Sequence, residues 1–167
     1  GLVGSEMCIR DRYWSYYNGK NNFNKLANVP KSQKYADKNL NNKREYKYFT
    51  VAYKMSGGKK VYLGRTNTVH VAMPYAAKTN VLKVTVNKTK ANLAKGKTFK
   101  ITKKVKLENP KKKALNHLTK KERFITSNAK VATVSSAGVI KAVRKGTCTV
   151  YVMSENGVCA KIKVTVK

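Results

Sequence analysis

Beyond residue 12, the groups of this chain that could do chemistry are few and widely spaced. The carboxylates there are Asp37, Glu45, Glu108, Glu122 and Glu155, each standing alone in the sequence. Glycosidic bond hydrolysis needs two carboxyl groups converging across one cleft, and no two of these acids fall into such a pattern. His70 and His117 have no cysteine or carboxylate at metal-ligand spacing. His70 reads as an exposed or half-buried strand residue and His117 as a loop residue. No G-x-S-x-G nucleophile elbow is present. Gly57-Gly58 precedes Lys59-Lys60 but opens no helix, so it reads as a hairpin turn rather than a phosphate cradle. The sequence therefore offers no catalytic constellation, no cofactor site and no metal site.

Two cysteines remain once the first twelve residues are set aside, Cys148 and Cys159. If the segment 147–152 buries Cys148, Val150 and Val152, and the next strand buries Ala160, Ile162, Val164 and Val166, Cys159 points the other way with Lys161 and Lys163. Side chains on opposite faces of a sheet cannot meet disulfide geometry. The two thiols are expected to be unpaired, Cys148 in the core and Cys159 toward solvent.

Charge is the chemistry this chain has in quantity. Thirty-seven Lys and Arg against seven Asp and Glu give a net charge of +30 in 167 residues. A field of that size attracts polyanions and makes the compact state repel itself. Lys111, Lys112 and Lys113, with Lys120, Lys121 and Arg123, flank one loop and form the candidate polyanion contact. Lys103-Lys104 and Lys141 with Arg144-Lys145 are further clusters. Two readings stay open: a solvated basic face that also guards sheet edges against pairing, or a working contact. Lysine outnumbers arginine in these clusters, which favours diffuse attraction over bidentate recognition of defined phosphates. By itself the charge leaves nucleic acid, anionic lipid and an anionic cell wall open as partners. Ten tyrosines beside such charge could stack nucleic-acid bases. Yet Tyr46, Tyr48 and Tyr53 lie on the strongest strand and are better explained as core and corner residues. No sequence signature of a specific nucleic-acid binder is present.

The elements that carry these residues read as short β-strands throughout. From 123 onward, alternating apolar runs (VATV, GVIKAV, TCTVYV, AKIKVTV) are separated by turns at Gly138, Gly146 and Asn156-Gly157. Short strands joined by tight glycine turns are how an antiparallel sandwich is written. The order Ser127-Asn128, then V-A-T-V at 131–134, Gly138, the V-x-A-V strand at 140–143, Lys145-Gly146 and the terminal V-T-V at 164–166 resembles the bacterial Ig-like group 2 domain. Upstream, Leu93, Gly96 and the alternation Phe99, Ile101, Val105, Leu107 predict two strands around a Lys-Gly turn, with Lys103 breaking the inward set. Residues 109–121 read as a polar loop crossing between sheets.

The first half is a different β unit. Strands are expected at 13–17, 23–29, 45–55 and 61–71, with turns at Asn18-Gly19 and Gly57-Gly58 and a break at Pro30. Leu40 six positions before Tyr46, then Tyr48, Ala52 and Tyr53, and finally Asn67-Thr68-Val69, resemble the second half of a fibronectin type III domain. That resemblance implies that Tyr46 is a tyrosine-corner residue whose hydroxyl bonds nearby backbone, and that Asp37, before the corner's Leu40, caps a turn rather than acting as an acid or base. It also implies that the first two strands of the domain are missing. Residues 1–12 resemble one translated frame of a sequencing-library adapter and are expected to be an artefact without order.

The expected organisation is all-β, two Ig-like sandwiches in tandem with the first incomplete: adapter-like 1–12, partial fibronectin type III domain 13–72, linker 73–79 and bacterial Ig-like group 2 domain 80–167. No apolar run approaches the ~20 residues of a membrane span. The family resemblance implies a non-catalytic spacer or adhesion module of a larger bacterial surface protein, extracellular or on the cell surface, with an anionic cell-wall polymer or surface glycan as its expected partner. The alternative it implies is an accessory, carbohydrate-associated module of a secreted enzyme.

Overall fold

The computed structural model describes residues 9–16, 23–28, 36–115 and 124–167. The chain is all-β and divides into two units, residues 1–77 and 78–167.

The described strands of the first unit are β1 (Ile9–Tyr16), β2 (Asn24–Asn28), β3 (Glu45–Ser56), β4 (Lys59–Arg65) and β5 (Val69–Ala72). They form one antiparallel sheet, β2-β1-β3-β4, with β5 also paired to β3. β3 is the template of this sheet. Its β-branched and aromatic run suits a pleated surface, and its twelve residues hold β1 on one edge while β4 and β5 share the other.

Three sequence expectations change here. The strand expected at 61–71 is two strands. β4 pairs with 51–56 and β5 with 45–48 of β3. Leu63 is the extra residue of a bulge between the pairs Ala52↔Gly64 and Tyr53↔Tyr62, and Thr66 and Thr68 hold the break through the bonds Thr50 N–H to Thr66 Oγ1 and Arg65 Nη2 to Thr68 Oγ1. The second change concerns residues 9–12, expected to lack order. They form the first half of β1, registered from Ile9↔Tyr53 to Arg12↔Thr50. An extended β3 edge offers backbone donors and acceptors to whatever chain runs beside it. The third is the expected linker 73–79, of which little remains as a connection. The Met73 and Tyr75 amides donate to the Arg44 and Asn42 carbonyls in the first unit. Lys78 and Thr79 form β6 of the second unit. The expected turn at Asn18-Gly19 and the break at Pro30 lie outside the described residues.

The second unit comprises β6 (Lys78–Thr79), β7 (Val81–Val86), β8 (Lys90–Leu93), β9 (Thr98–Lys100), β10 (Lys103–Leu107), β11 (Lys113–Ala114), β12 (Phe124–Thr126), β13 (Ala132–Val134), β14 (Val139–Ala142), β15 (Gly146–Met153) and β16 (Cys159–Val166). A four-stranded sheet, β12-β15-β16-β8, faces β13-β14-β9 and the β10-β7 pair across a common core. β15 and β16 pair residue for residue from Gly146↔Val166 to Met153↔Cys159. Their inward residues Cys148, Val150, Val152, Ile162, Val164 and Val166 meet Val84, Ile101, Ala132, Ile140 and Ala142. Val150, Val152, Ile162, Val164 and Ile140 are fully buried. Strict period-2 alternation produces this face, because a one-residue slip would move every one of them to water. The two strands expected around the Lys-Gly turn at 96 are present as β8 and β9, which lie in different sheets, and the run 99–107 is divided between β9 and β10, again in different sheets. The polar segment at 109–121 contains the two-residue bridge β11, parallel to β6.

Candidate functional site

In the first unit one face of β3 and β5 carries the best-organised side-chain cluster. Tyr46 is 2% exposed, and its hydroxyl accepts a 2.9 Å bond from the Asn41 amide. Asn39, at φ 57°, turns the chain just before Leu40, in a region that Asn tolerates better than most residues. The Tyr48 hydroxyl donates to the Asp37 carboxylate at 3.0 Å. Burial pushes the Tyr48 phenol well above the ordinary tyrosine range. The hydrogen bond to Asp37 and that carboxylate's charge push it further the same way. Asp37 therefore ties a tyrosine to the turn region rather than capping a backbone turn, because β3 brings Tyr48 within reach of it. Asp37, Tyr46 and Tyr48, with half-buried Leu40, Val69, Val71 and Met73, line a cavity of about 360 Å³.

The opposite face of the same sheet pairs aromatic rings with cations. Tyr13 stacks on Phe49 at 5.0 Å and Phe23 meets Phe49 edge-on at 4.6 Å. The Arg65 guanidinium lies 4.0 Å from the Phe49 ring centre, and Lys47 Nζ lies 4.9 Å from that of Phe23. His70 sits in β5 opposite Lys47 and is buried. This corrects the expectation of an exposed or half-buried residue: alternation places it with Lys47 on the packed side of the strand.

In the second unit a cavity of about 540 Å³ opens beside β7 and β10, with Val81, Val84, Leu115 and Met153 as its apolar lining and Lys78, Lys103 and Lys113 among its walls. Lys103, paired to Val86, is the lysine that interrupts the inward alternation. Its Nζ lies 5.3 Å from the Phe124 ring centre. Asn156 does more than make a turn. Its side chain accepts from the Val81 amide and donates to the Val81 carbonyl at 2.8 Å. Ser154 Oγ in turn donates to Asn156 Oδ1 at 2.9 Å. The β15–β16 hairpin is thereby pinned to the start of β7, a link of 75 residues that no local motif announces.

Of the candidate polyanion residues, Lys111 and Lys113 are exposed and Lys112 is half-buried. The Asn109 side chain accepts from the Lys111 amide and the Asn109 carbonyl from the Lys112 amide, which fixes the turn. Lys120, Lys121 and Arg123 lie outside the described residues, as do His117 and Glu122. The glycines behave as their turns require. Gly138 has φ 74° and Gly146 φ 148°, and an added Cβ would approach Phe124 and Val131 respectively. Cys148 is buried, Cys159 is exposed, and both are free. Among the described residues no three His, Cys, Asp or Glu side chains cluster where they could hold a metal ion. No helix among them is long and apolar enough to cross a membrane.

Sheets packed on one apolar core, antiparallel apart from the β8–β16 pair and the short β6–β11 bridge, with short strands and glycine turns, define the second unit as an Ig-like β-sandwich. Residues 80–166 match the bacterial Ig-like domain (group 2), and the chain belongs to that family. No curated protein matches the chain. Among solved structures it is similar to the S-layer protein rSbsC(31-844), at 17% identity and TM-score 0.43, over 74% of this chain and 16% of that one. Domains 4 and 5 of S-layer protein SbsC align at 18% identity and TM-score 0.40, over 71% of this chain and 64% of that one. The C-terminal 282-residue fragment of intimin, solved with the translocated intimin receptor's intimin-binding domain, aligns at 13% identity and TM-score 0.31, over 100% of this chain and 56% of that one. Superpositions this loose carry no functional weight, and the class of the chain rests on its family match.

Proposed function

We propose that the chain is a non-catalytic spacer or adhesion module of a larger bacterial surface protein, held against anionic wall polymers or surface glycans by its basic surface. The observation that carries this reading is the distribution of charge on the sandwich. Exposed lysines occupy the outward positions of β7, β8, β10, β14 and β16, while Glu108 and Glu155 are the described carboxylates of the second unit. Packed sandwiches in series give a stiff, protease-resistant stalk, and excess positive charge gives that stalk a salt-sensitive affinity for polyanions.

The first unit we read as the second half of a fibronectin type III module. Its β2-β1-β3-β4 order and the Tyr46 hydroxyl bonded to backbone five residues upstream support that reading. The adapter-like origin of residues 1–12 remains part of the proposal and rests on their sequence.

The test is retention of the full chain on purified bacterial cell wall across a salt series. Retention that falls steeply as salt rises is expected, because exposed charges more than a Debye length apart are screened, ~10 Å at 0.1 M. Retention unchanged by salt would sink the electrostatic mechanism.

A further inference from the structure

The lysine clusters visible in the sequence are neighbours along the chain; the structure creates one that is not. β8 runs parallel to β16, and this register sets Lys90 directly beside Lys163. Lys161 is two residues away on the same face, opposite Tyr151. Strand spacing and rise place adjacent lysine backbones about 5 Å apart across the pair and about 7 Å apart along β16. All three lysines are exposed, whereas Ala91, Ile162 and Val164 between them point into the core.

Like charges directly opposite one another destabilise a sheet. None of the four strands of this sheet contains Asp or Glu, so nothing on its own strands offsets the repulsion. The other side of the sandwich differs. There Lys83 faces Lys106, but Glu108 follows two residues after Lys106 and accepts from Asn80.

We propose that the outer face of the β12-β15-β16-β8 sheet is a binding surface for a hydroxyl-bearing polyanion, its recurring anionic groups seated among Lys90, Lys161 and Lys163. This rests on the proposed surface function and gives it an address. An acidic polysaccharide and a polyol-phosphate chain share the required chemistry. Thr149 and Thr165, which flank Lys163 on this face, and exposed Asn92 supply donors and acceptors for the polymer's hydroxyl groups. Nucleic acid fits less well. The outward aromatic residue, Tyr151, is half-buried, and Lys161 Nζ lies 5.8 Å from its ring centre, so no open ring face is offered to a base.

The experiment uses the full chain, polygalacturonate as the carboxylate probe and poly(glycerol phosphate) as the phosphate probe. The variant Lys90→Gln/Lys161→Gln/Lys163→Gln is compared with Lys83→Gln/Lys104→Gln/Lys106→Gln, which removes equal charge from the opposite side. The first triple should weaken at least one probe by roughly tenfold or more and lower the salt slope by about 3, near one per cation removed. The second should change affinity by less than about threefold. The first variant should also melt at a higher temperature than wild type in low salt, since it loses a repulsion, and that reading is independent of any ligand. Equal weakening by both triples, or an oligo(dT) of matched charge outbinding both probes, would overturn the proposal. If wild-type wall retention is salt-sensitive and the first triple leaves it intact, only this address fails. If wild type binds neither probe nor wall, the proposed function fails with it.

Discussion

Replacing Gly138 by alanine should cost the second unit about 2–3 kcal/mol, against about 1 kcal/mol for the same change at Gly96. Both glycines hold left-handed backbone, at φ 74° and φ 82°. A side chain there brings Cβ too close to the following carbonyl, a cost of roughly 1 kcal/mol. At Gly96 an added Cβ meets nothing within 4 Å, so the backbone cost is the whole effect. At Gly138 the added Cβ would stand 2.9 Å from Cζ and 3.0 Å from Cε1 of Phe124. That ring packs against the core, and it must slide outward to make room, adding about 1–2 kcal/mol of overpacking. The assay is urea unfolding of the full chain, followed through the amide resonances of β15 and β16 so that the second unit is read by itself. Combining Gly138→Ala with Phe124→Leu should return part of the loss, because the shorter side chain vacates the contact. Equal costs at the two glycines would refute the role given to Phe124. No cost at either would refute the backbone argument itself.

Other expectations concern both units. Tyr46→Phe should destabilise the first unit by about 1–2 kcal/mol in denaturant unfolding, since it strips the Asn41 amide of its acceptor; an unchanged midpoint would show that the corner bond adds nothing to stability. Tyr48 should ionise above the ordinary tyrosine range in a spectrophotometric titration, and Asp37→Asn should lower its value only in part, because burial is the larger cause. The sign follows from a folded value raised above the unfolded one. Its contribution to stability is complete below about pH 10 and is lost as pH rises through the folded value. A thiol reagent should label Cys159 at once and Cys148 only on unfolding; labelling of both at equal rates would contradict the burial of Cys148.

The alternation of Val150, Val152, Ile162, Val164 and Val166 is enough to predict the sandwich, and Gly138 and Gly146 enough to predict its turns. Period-2 patterning is a local property, and it fixes which face of a strand is apolar. The two free thiols follow from the same parity. Where sequence and structure part, a non-local partner is responsible. The run 61–71 is apolar enough for one strand, yet it is interrupted at 66–68, between β4 and β5, where the Thr50 amide of β3 bonds the Thr66 side chain. His70 carries no signal of burial, and only its position opposite Lys47 supplies one. Asp37 resembles a cap because the tyrosine that binds it stands eleven residues away.

The sequence by itself determined the fold class, the family of the second unit and the absence of a local catalytic motif, because strand periodicity, turn glycines and motif spacing are written within a few residues of one another. Only the tertiary structure decided which distant residues became neighbours. Asn156 stitches a hairpin to the Val81 backbone, and Lys90 stands beside Lys163 although 73 positions (163 minus 90) separate them. The physical reason is that pairing register between strands far apart in sequence is set by the packing of their buried faces. The apolar side of β8 and β16 chose the register, and the lysines on the other side were brought together as its consequence.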